Sequence, residues 1–185
     1  MAVQGHLLTE MDRKEYSRGV TPKFMARRVF FSFHYDRDNW RAGQVRNSGV
    51  VKPNYDETGF FDGVDWETLK RQSDDRIKRW IRKQMKGCSV TVVLIGSQTY
   101  GREWVDYEIN KSVRDEMGLV GIRVHNIKDQ NRQTDSFGKN PLSKPTLGKP
   151  GEKLSEKYNT YDWVHDDGQE NLADWIEEAA RIANR

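Results

Sequence analysis

Residues 89–95 form an apolar run that determines the class of fold. Their sequence, Ser-Val-Thr-Val-Val-Leu-Ile, is rich in β-branched residues and lacks the alternation of a half-exposed strand. A strand of this kind is buried on both faces, as in a parallel sheet that helices cover on both sides. Gly96 and Ser97 then end the predicted strand.

Helical and strand patterns alternate on either side of this run. Apolar residues recur at helical spacing from about Asp65, and Gly87 ends that predicted helix. Further strands are predicted over residues 28–33, 119–124 and 160–164, and further helices over 103–117 and after Gly168. This order predicts a three-layer α/β fold, an open parallel sheet with right-handed crossovers and helices on both faces.

The length of 185 residues suits a single domain. We interpret residues 1–27 as an N-terminal extension and 28–185 as the domain, because the first strong strand signal begins at Arg28. Residues 126–159 are predicted to be a long variable loop, since they hold three of the five prolines and seven Lys or Arg residues. A connection of this length is usually functional, mobile or an insertion.

Charge and composition exclude several classes of protein. With 31 Lys and Arg against 28 Asp and Glu, the net charge of +3 is too small a surplus to indicate nucleic acid as a partner, and we expect none. No apolar stretch approaches the roughly 20 residues of a membrane span. One cysteine allows no intrachain disulfide, and four scattered histidines do not indicate a metal site. We therefore expect a soluble cytoplasmic protein without a bound metal.

The segment after the buried strand contains the residues best suited to chemistry. Ligands of open α/β sheets bind beyond the carboxyl ends of the strands, where the Ser97 hydroxyl is expected. On the following helix, Trp104 and Glu108 lie one turn apart beside the predicted core stripe. A carboxylate flanked by aromatic rings can stabilise positive charge that develops on a sugar ring. Alternatively, Glu108 pairs with Lys111 or Arg102 on a solvated surface, and the spacing alone leaves both interpretations open.

Six further residues are candidates to line the same crevice, because they lie at the end of the first predicted strand or in polar and aromatic segments soon after it. They are Phe33, His34, Arg46, Asn47, Asp62 and Trp66. Each has an ordinary alternative, since aromatic residues are often core and an arginine is usually solvated. Arg46 and Asp62 could simply neutralise each other.

Several motifs, taken together, resemble one known family. They are Arg28-Val-Phe-Phe-Ser-Phe-His-Tyr35, Val45-Arg-Asn47, Phe61-Asp62 with Trp66, strand 89–95 with Gly96-Ser-Gln-Thr99, Trp104-Val-x-Tyr-Glu108-Ile, and Tyr161-Asp-Trp-Val164. This combination resembles the TIR-like domain family, in particular the TIR-like B proteins of Thoeris anti-phage defence systems. The resemblance covers about residues 28–185, and the strand-end Ser97 with Trp104 and Glu108 is its most specific part.

The resemblance implies a flavodoxin-like fold with a pocket at the strand ends. It implies that Glu108 is the catalytic residue, which engages the ribose attached to nicotinamide while the N-glycosidic bond of NAD+ breaks. NAD+ is then a substrate and not a bound cofactor, and no metal is needed because nicotinamide leaves as a neutral molecule. An adenosine-side ribose hydroxyl attacks the anomeric carbon, and the resulting cyclic ADP-ribose isomer activates a separate effector protein.

One other function remains open at this point, and a second is set aside. The chain could be a non-catalytic TIR-like module that binds a protein partner or a nucleotide. Segregated charge favours self-association, because the helix over residues 70–86 is basic and residues 162–178 hold seven acids and no Lys or Arg. A receiver-like regulatory domain is set aside, since Ser97 and Phe33-His34 stand where that class requires aspartates.

Overall fold

A computed structural model describes residues 27–48, 68, 71–145, 147, 150 and 152–185. In chain order the elements are β1 (Val29–Ser32), α1 (Tyr35–Arg46), α2 (Asp74–Met85), β2 (Val90–Ile95), α3 (Glu103–Arg114), β3 (Gly118–Arg123), a 3-10 helix (Pro141–Ser143), α4 (Leu154–Lys157), β4 (Thr160–Asp162) and α5 (Gly168–Ile182). Apart from Arg27, the predicted N-terminal extension lies outside the described residues. None of the helices formed by the described residues has the length and apolar composition to cross a membrane.

The four strands form one parallel sheet in the order β1-β2-β3-β4. The register pairs Ser32 of β1 with Val93 of β2, and Val93 with Gly121 of β3. All four carboxyl ends therefore lie at the same edge of the sheet. The predicted parallel sheet is confirmed, and so is full burial of β2, whose six residues are all buried.

Helices cover both faces of the sheet, as a three-layer fold requires. Alternate strand residues such as Val92 and Ile122 pack on one face with α1 and α5. On the opposite face Val93 and Ile95 pack with α3, and Phe30 packs with α2. This arrangement confirms the predicted α/β class with helices on both sides of the sheet.

Two helices differ from the sequence prediction. Helix α1 was not predicted, because two of its five buried residues are charged and hide the apolar period; the buried set is Tyr35, Asp38, Arg41, Ala42 and Val45. The predicted helix from about Asp65 is not continuous, since residues 71–73 form a turn and a bend and Ser73 is extended. Helix α2 begins only at Asp74, where Asp74 and Asp75 lie in the first turn and favour a helix N-terminus. Gly87, with φ of 77°, ends it as predicted.

Much of the segment predicted to be a long variable loop packs on the fold. It contains the 3-10 helix and α4, and its apolar residues join the cluster beneath α3; they are Leu142, Leu147, Leu154 and Tyr158. Upstream, Asp135 and Gly138 contact the carboxyl end of β2. The described part of this segment therefore forms one wall of the strand-end region.

Candidate functional site

Glu108 lies in the middle of α3 and points toward the last residue of β1. Its carboxyl group accepts a hydrogen bond of 2.6 Å from the Ser32 hydroxyl, and both residues are buried, with exposed fractions of 7% and 0%. This is the only hydrogen bond that the carboxyl group makes among the described residues. The structure thus places an acidic group at the carboxyl end of a parallel strand, where α/β sheets bind ligands.

The environment of Glu108 changes its acidity. Burial raises the pKa of this carboxyl group from 4.5 to about 8, and the hydrogen bond from Ser32 opposes the rise. The alternative in which Glu108 forms a surface ion pair is wrong. Lys111 pairs instead with Asp115, and the Arg102 guanidinium donates to the backbone and side chain of Gln98.

Trp104 lies one turn before Glu108 and belongs to an apolar cluster between α2 and α3. Its ring meets that of Tyr107 edge-on, with centroids 6.3 Å apart. Both rings pack against buried residues that include Phe30 and Ile81. Because Phe30 precedes Ser32 by two residues on the same strand, this aromatic cluster lies on the same sheet face as Glu108.

Ser97 forms a second polar group at the strand ends, together with two residues that the sequence did not point to. Its hydroxyl donates to Asp135 Oδ2 at 2.7 Å, and Arg37 Nε lies 2.9 Å from the same hydroxyl. The Arg37 guanidinium donates to both Asp135 oxygens, at 2.8 Å each. Arg37 and Ser97 hold the pKa of Asp135 well below its usual range. The three side chains join α1, the end of β2 and the segment after β3.

Asp38 is a buried carboxylate beside this group. Burial raises its pKa to about 6, while Arg41, whose Nη1 lies 3.8 Å from Asp38 Oδ1, opposes the rise. Thr99 donates to Asp38 Oδ2 at 3.4 Å and accepts from the Gly96 backbone N–H at 2.9 Å. A Cβ atom on Gly96 would lie 2.1 Å from Asp38 Oδ2, so a larger residue there would displace the Asp38 side chain. Asp38 therefore positions the turn that carries Ser97.

The structure describes four of the six other predicted pocket residues. Phe33 packs against the cluster on the opposite face of the sheet, and His34 is the N-cap residue of α1. Arg46 and Asn47 lie at the far end of α1, about 17 Å along the helix axis from its start. Asp62 and Trp66 lie outside the described residues. Binding roles for these six residues remain predictions.

Sequence reasoning missed Ser32, Arg37 and Asp135 as members of the strand-end region. One feature of the sequence could have indicated Ser32, since it is the only polar residue among the four residues of β1. No local pattern indicates Asp135, because its partner Ser97 lies 38 residues earlier in the chain. Among the described residues, no group of three or more His, Cys, Asp and Glu side chains is arranged to hold a metal ion.

Comparison with known proteins gives two matches. The family described as "Thoeris protein ThsB, TIR-like domain" matches residues 30–129, which include Ser32, Ser97 and Glu108. A protein of Bacillus cereus (strain MSX-D12), named "Putative cyclic ADP-D-ribose synthase ThsB1", is 37% identical over 191 aligned residues. That match covers 82% of this chain and 100% of the relative. The TIR-like domain of this family has a flavodoxin-like fold, with which the four-stranded parallel sheet agrees. This chain therefore belongs to the Thoeris ThsB family of TIR-like domain proteins.

Proposed function

We propose that this protein cleaves the nicotinamide N-glycosidic bond of NAD+ and closes the remaining ADP-ribose into a cyclic ADP-ribose isomer. The observation that carries the proposal is the buried carboxyl group of Glu108, hydrogen-bonded to Ser32 at the carboxyl end of β1. Glu108 is the catalytic residue, and it contacts the ribose that bears nicotinamide. The name of the Bacillus cereus relative supports the same reaction class.

The first step separates nicotinamide from the ribose. The bond between the anomeric carbon and the pyridinium nitrogen breaks, and its electron pair leaves with nicotinamide, which becomes neutral. The ribose ring is left with oxocarbenium character, and the ionised Glu108 carboxylate stabilises that positive charge across a short, poorly solvated distance. Substrate itself favours the ionised form of Glu108, because the cationic nicotinamide ring lowers the pKa of a nearby carboxyl group.

The second step closes the ring. A hydroxyl of the adenosine ribose attacks the anomeric carbon, a C–O bond forms, and the hydroxyl proton must leave. Glu108 can accept this proton, since a pKa of about 8 in the free protein makes its carboxylate a better base than an exposed glutamate. Cyclisation then competes with attack by water, so the pocket must hold the hydroxyl in place and exclude solvent.

The proposal extends to where the reaction occurs and what receives its product. The enzyme acts in the cytoplasm and takes NAD+ as a substrate, with no bound cofactor. Its cyclic product activates a separate effector protein, so the two proteins need not touch. We propose defence against phage as the biological role, as the resemblance to Thoeris proteins implies.

The test is mass spectrometry of NAD+ incubated with concentrated protein, with and without extract of phage-challenged cells. We expect nicotinamide together with a product at the mass of cyclic ADP-ribose. Both should disappear in Glu108→Gln, which keeps the size of the side chain and removes its charge. Glu116→Gln is the matched control, because Glu116 is an exposed glutamate just after the C-terminal end of α3. If linear ADP-ribose is the only product, the protein hydrolyses NAD+ and the proposed cyclisation is wrong. If no NAD+ is consumed in any condition, the proposal that the protein is an enzyme is wrong.

Segregated charge supports a second candidate, an interaction module that assembles with copies of itself. Exposed basic residues lie on α2 and its C-cap, namely Arg76, Arg79, Arg82, Lys83 and Lys86. Exposed acidic residues lie around the start of α5, namely Asp166, Asp167, Glu170 and Asp174. Opposite patches of this kind attract each other and are screened by salt. Elution volume with and without NAD+, at low and high salt, separates a ligand-driven assembly from a purely electrostatic one.

A further inference from the structure

Phe137 is an exposed aromatic ring that is supported from behind. It is 67% exposed, although large apolar side chains are normally buried. The Arg123 guanidinium lies 3.8 Å from the centroid of its ring, and the His125 ring meets it edge-on at 5.3 Å and 83°. Since the Phe137 side chain remains 67% exposed beside these two contacts, most of its ring surface is open to a ligand.

The segment that carries Phe137 is held firmly against the strand ends. Arg123 Nη1 donates to the Gly138 carbonyl oxygen at 2.7 Å, so the same side chain supports the ring and its neighbour. A Cβ atom on Gly138 would lie 2.0 Å from the Gly96 carbonyl oxygen, which shows how closely the two backbones approach. Two residues before Phe137, Asp135 is bound by Arg37 and Ser97. The ring is therefore preorganised for stacking, which lowers the entropic cost of binding.

The strand register places this ring on the same face of the sheet as Glu108. Ser32 pairs with Val93, and Val93 pairs with Gly121, so these three residues point to one face. Arg123 follows Gly121 by two residues and shares that face. Two strand spacings separate β1 from β3, which is about 10 Å across the sheet. The pyrophosphate linkage of a dinucleotide can bridge such a distance.

We propose, resting on the proposed function, that Phe137 is the stacking platform for the adenine base of NAD+. With the nicotinamide ribose at Glu108, adenine is the second flat ring of the substrate and falls on the β3 side. The charge behind Phe137 agrees with this assignment, because the Arg123 guanidinium repels the cationic nicotinamide ring and accepts neutral adenine. Stacking on an aromatic side chain holds any base by its flat surface.

Lys139 supplies a positive charge between the two ends of the substrate. Its Nζ lies 4.3 Å from the centroid of the Tyr100 ring, on the turn that follows β2. Strand β2 lies between β1 and β3. Lys139 is exposed and is therefore available to a phosphate, the anionic group that joins the two nucleosides of NAD+.

Calorimetric titration with three ligands tests the assignment. The protein is the full chain carrying Glu108→Gln, so that no ligand is consumed, and the probes are AMP, ADP-ribose and nicotinamide mononucleotide. Phe137→Leu should weaken AMP and ADP-ribose about tenfold or more and leave nicotinamide mononucleotide unchanged. Phe137→Trp, which keeps an aromatic face, should retain the binding of AMP. Val164→Ala is the control, since Val164 is an exposed apolar residue after β4.

Several outcomes would overturn the assignment. In Phe137→Leu, an equal loss of affinity for all three ligands or an unchanged affinity for AMP would do so. Loss of AMP binding in Phe137→Trp would do so as well, as would a failure of AMP to bind the protein in which Phe137 is intact. Turnover of NAD+ by the chain with Glu108 intact tests the proposed function separately. Selective loss of AMP without turnover would keep the adenine site and reject the enzyme, whereas turnover with an unchanged KM in Phe137→Leu would reject only the adenine site.

Discussion

Glu108 and Asp135 lie at the same edge of one sheet, yet their surroundings change acidity in opposite directions. Glu108 is buried, the Ser32 hydroxyl is its one hydrogen-bond donor among the described residues, and burial raises its pKa to about 8. Asp135 is bound at both oxygens by Arg37 and by the Ser97 hydroxyl, which hold its pKa well below the usual range. Only one of these two carboxyl groups can gain or lose a proton near neutral pH.

This difference in acidity gives the two carboxyl groups different roles at the strand ends, a chemical one for Glu108 and a structural one for Asp135. An ionised, fully bonded carboxylate such as Asp135 holds α1, β2 and the following segment together, and it has little capacity left for a substrate. A buried carboxyl group such as Glu108, which has one hydrogen-bond partner among the described residues, is poorly solvated and still able to bind. Perturbed acids of the second kind are concentrated at functional sites.

The largest expected effect is on turnover. Glu108→Gln should reduce kcat for nicotinamide release by about a thousandfold or more, because the amide cannot stabilise positive charge or accept a proton. Asp135→Asn should cost about tenfold or less, since it loosens a support and removes no reacting group. Initial rates of nicotinamide release at saturating NAD+ measure both. Equal losses in the two variants would mean that Asp135 also takes part in the reaction.

The parallel sheet and the approximate position of Glu108 could be predicted from the sequence. The contacts that define the environments of Glu108 and Asp135 could not. The apolar run of β2 and the helical spacing of α3 are local patterns, so the sheet and the approximate place of Glu108 could be predicted. The bond from Ser32 to Glu108 joins residues 76 positions apart, and that between Arg37 and Asp135 spans 98. Such contacts depend on how the strands and helices pack, which periodicity does not encode.

The next largest expected effect is on stability, where Glu108→Gln should be favourable although the same substitution abolishes activity. The pKa of Glu108 is about 8 in the folded protein and near 4.5 unfolded, so between these values the folded state holds a proton that the unfolded state releases. The contribution of Glu108 to stability therefore falls as pH rises from about 4.5 to about 8. Glu108→Gln should raise the free energy of unfolding at pH 8 by on the order of 2 kcal/mol.

Denaturant unfolding at pH 5 and pH 8 checks this prediction. The gain from Glu108→Gln should be larger at pH 8 than at pH 5, because only the wild-type carboxyl group acquires charge over that range. Glu116→Gln, at an exposed position, should change stability little at either pH. A gain of the same size at both values would show that packing and not ionisation is responsible.

A smaller effect is expected at the support. Asp135 is ionised in the folded state with a depressed pKa, so its contribution is present above the unfolded pKa near 3.8 and lost as pH falls through the lower folded value. Asp135→Asn should lower the free energy of unfolding at pH 7 by about 1 kcal/mol, a modest amount because the Arg37 side chain is 42% exposed to solvent. Urea unfolding at low and high salt measures it, and the loss should shrink in salt.

The smallest expected effect comes from removing the hydrogen bond that the Ser32 hydroxyl donates to Glu108, which opposes the rise in the pKa of Glu108. Activity should rise with pH as Glu108 ionises, so the profile of kcat/KM should have its midpoint near pH 8. Ser32→Ala removes the hydroxyl that favours the charged carboxylate, and the midpoint should move upward by less than about one pH unit. Ser112→Ala is the matched control, because the buried Ser112 hydroxyl donates to the backbone carbonyl of Glu108 and not to its carboxyl group. A midpoint that moves equally in both variants, or downward in Ser32→Ala, would mean that the ionisation seen in the profile is not that of Glu108.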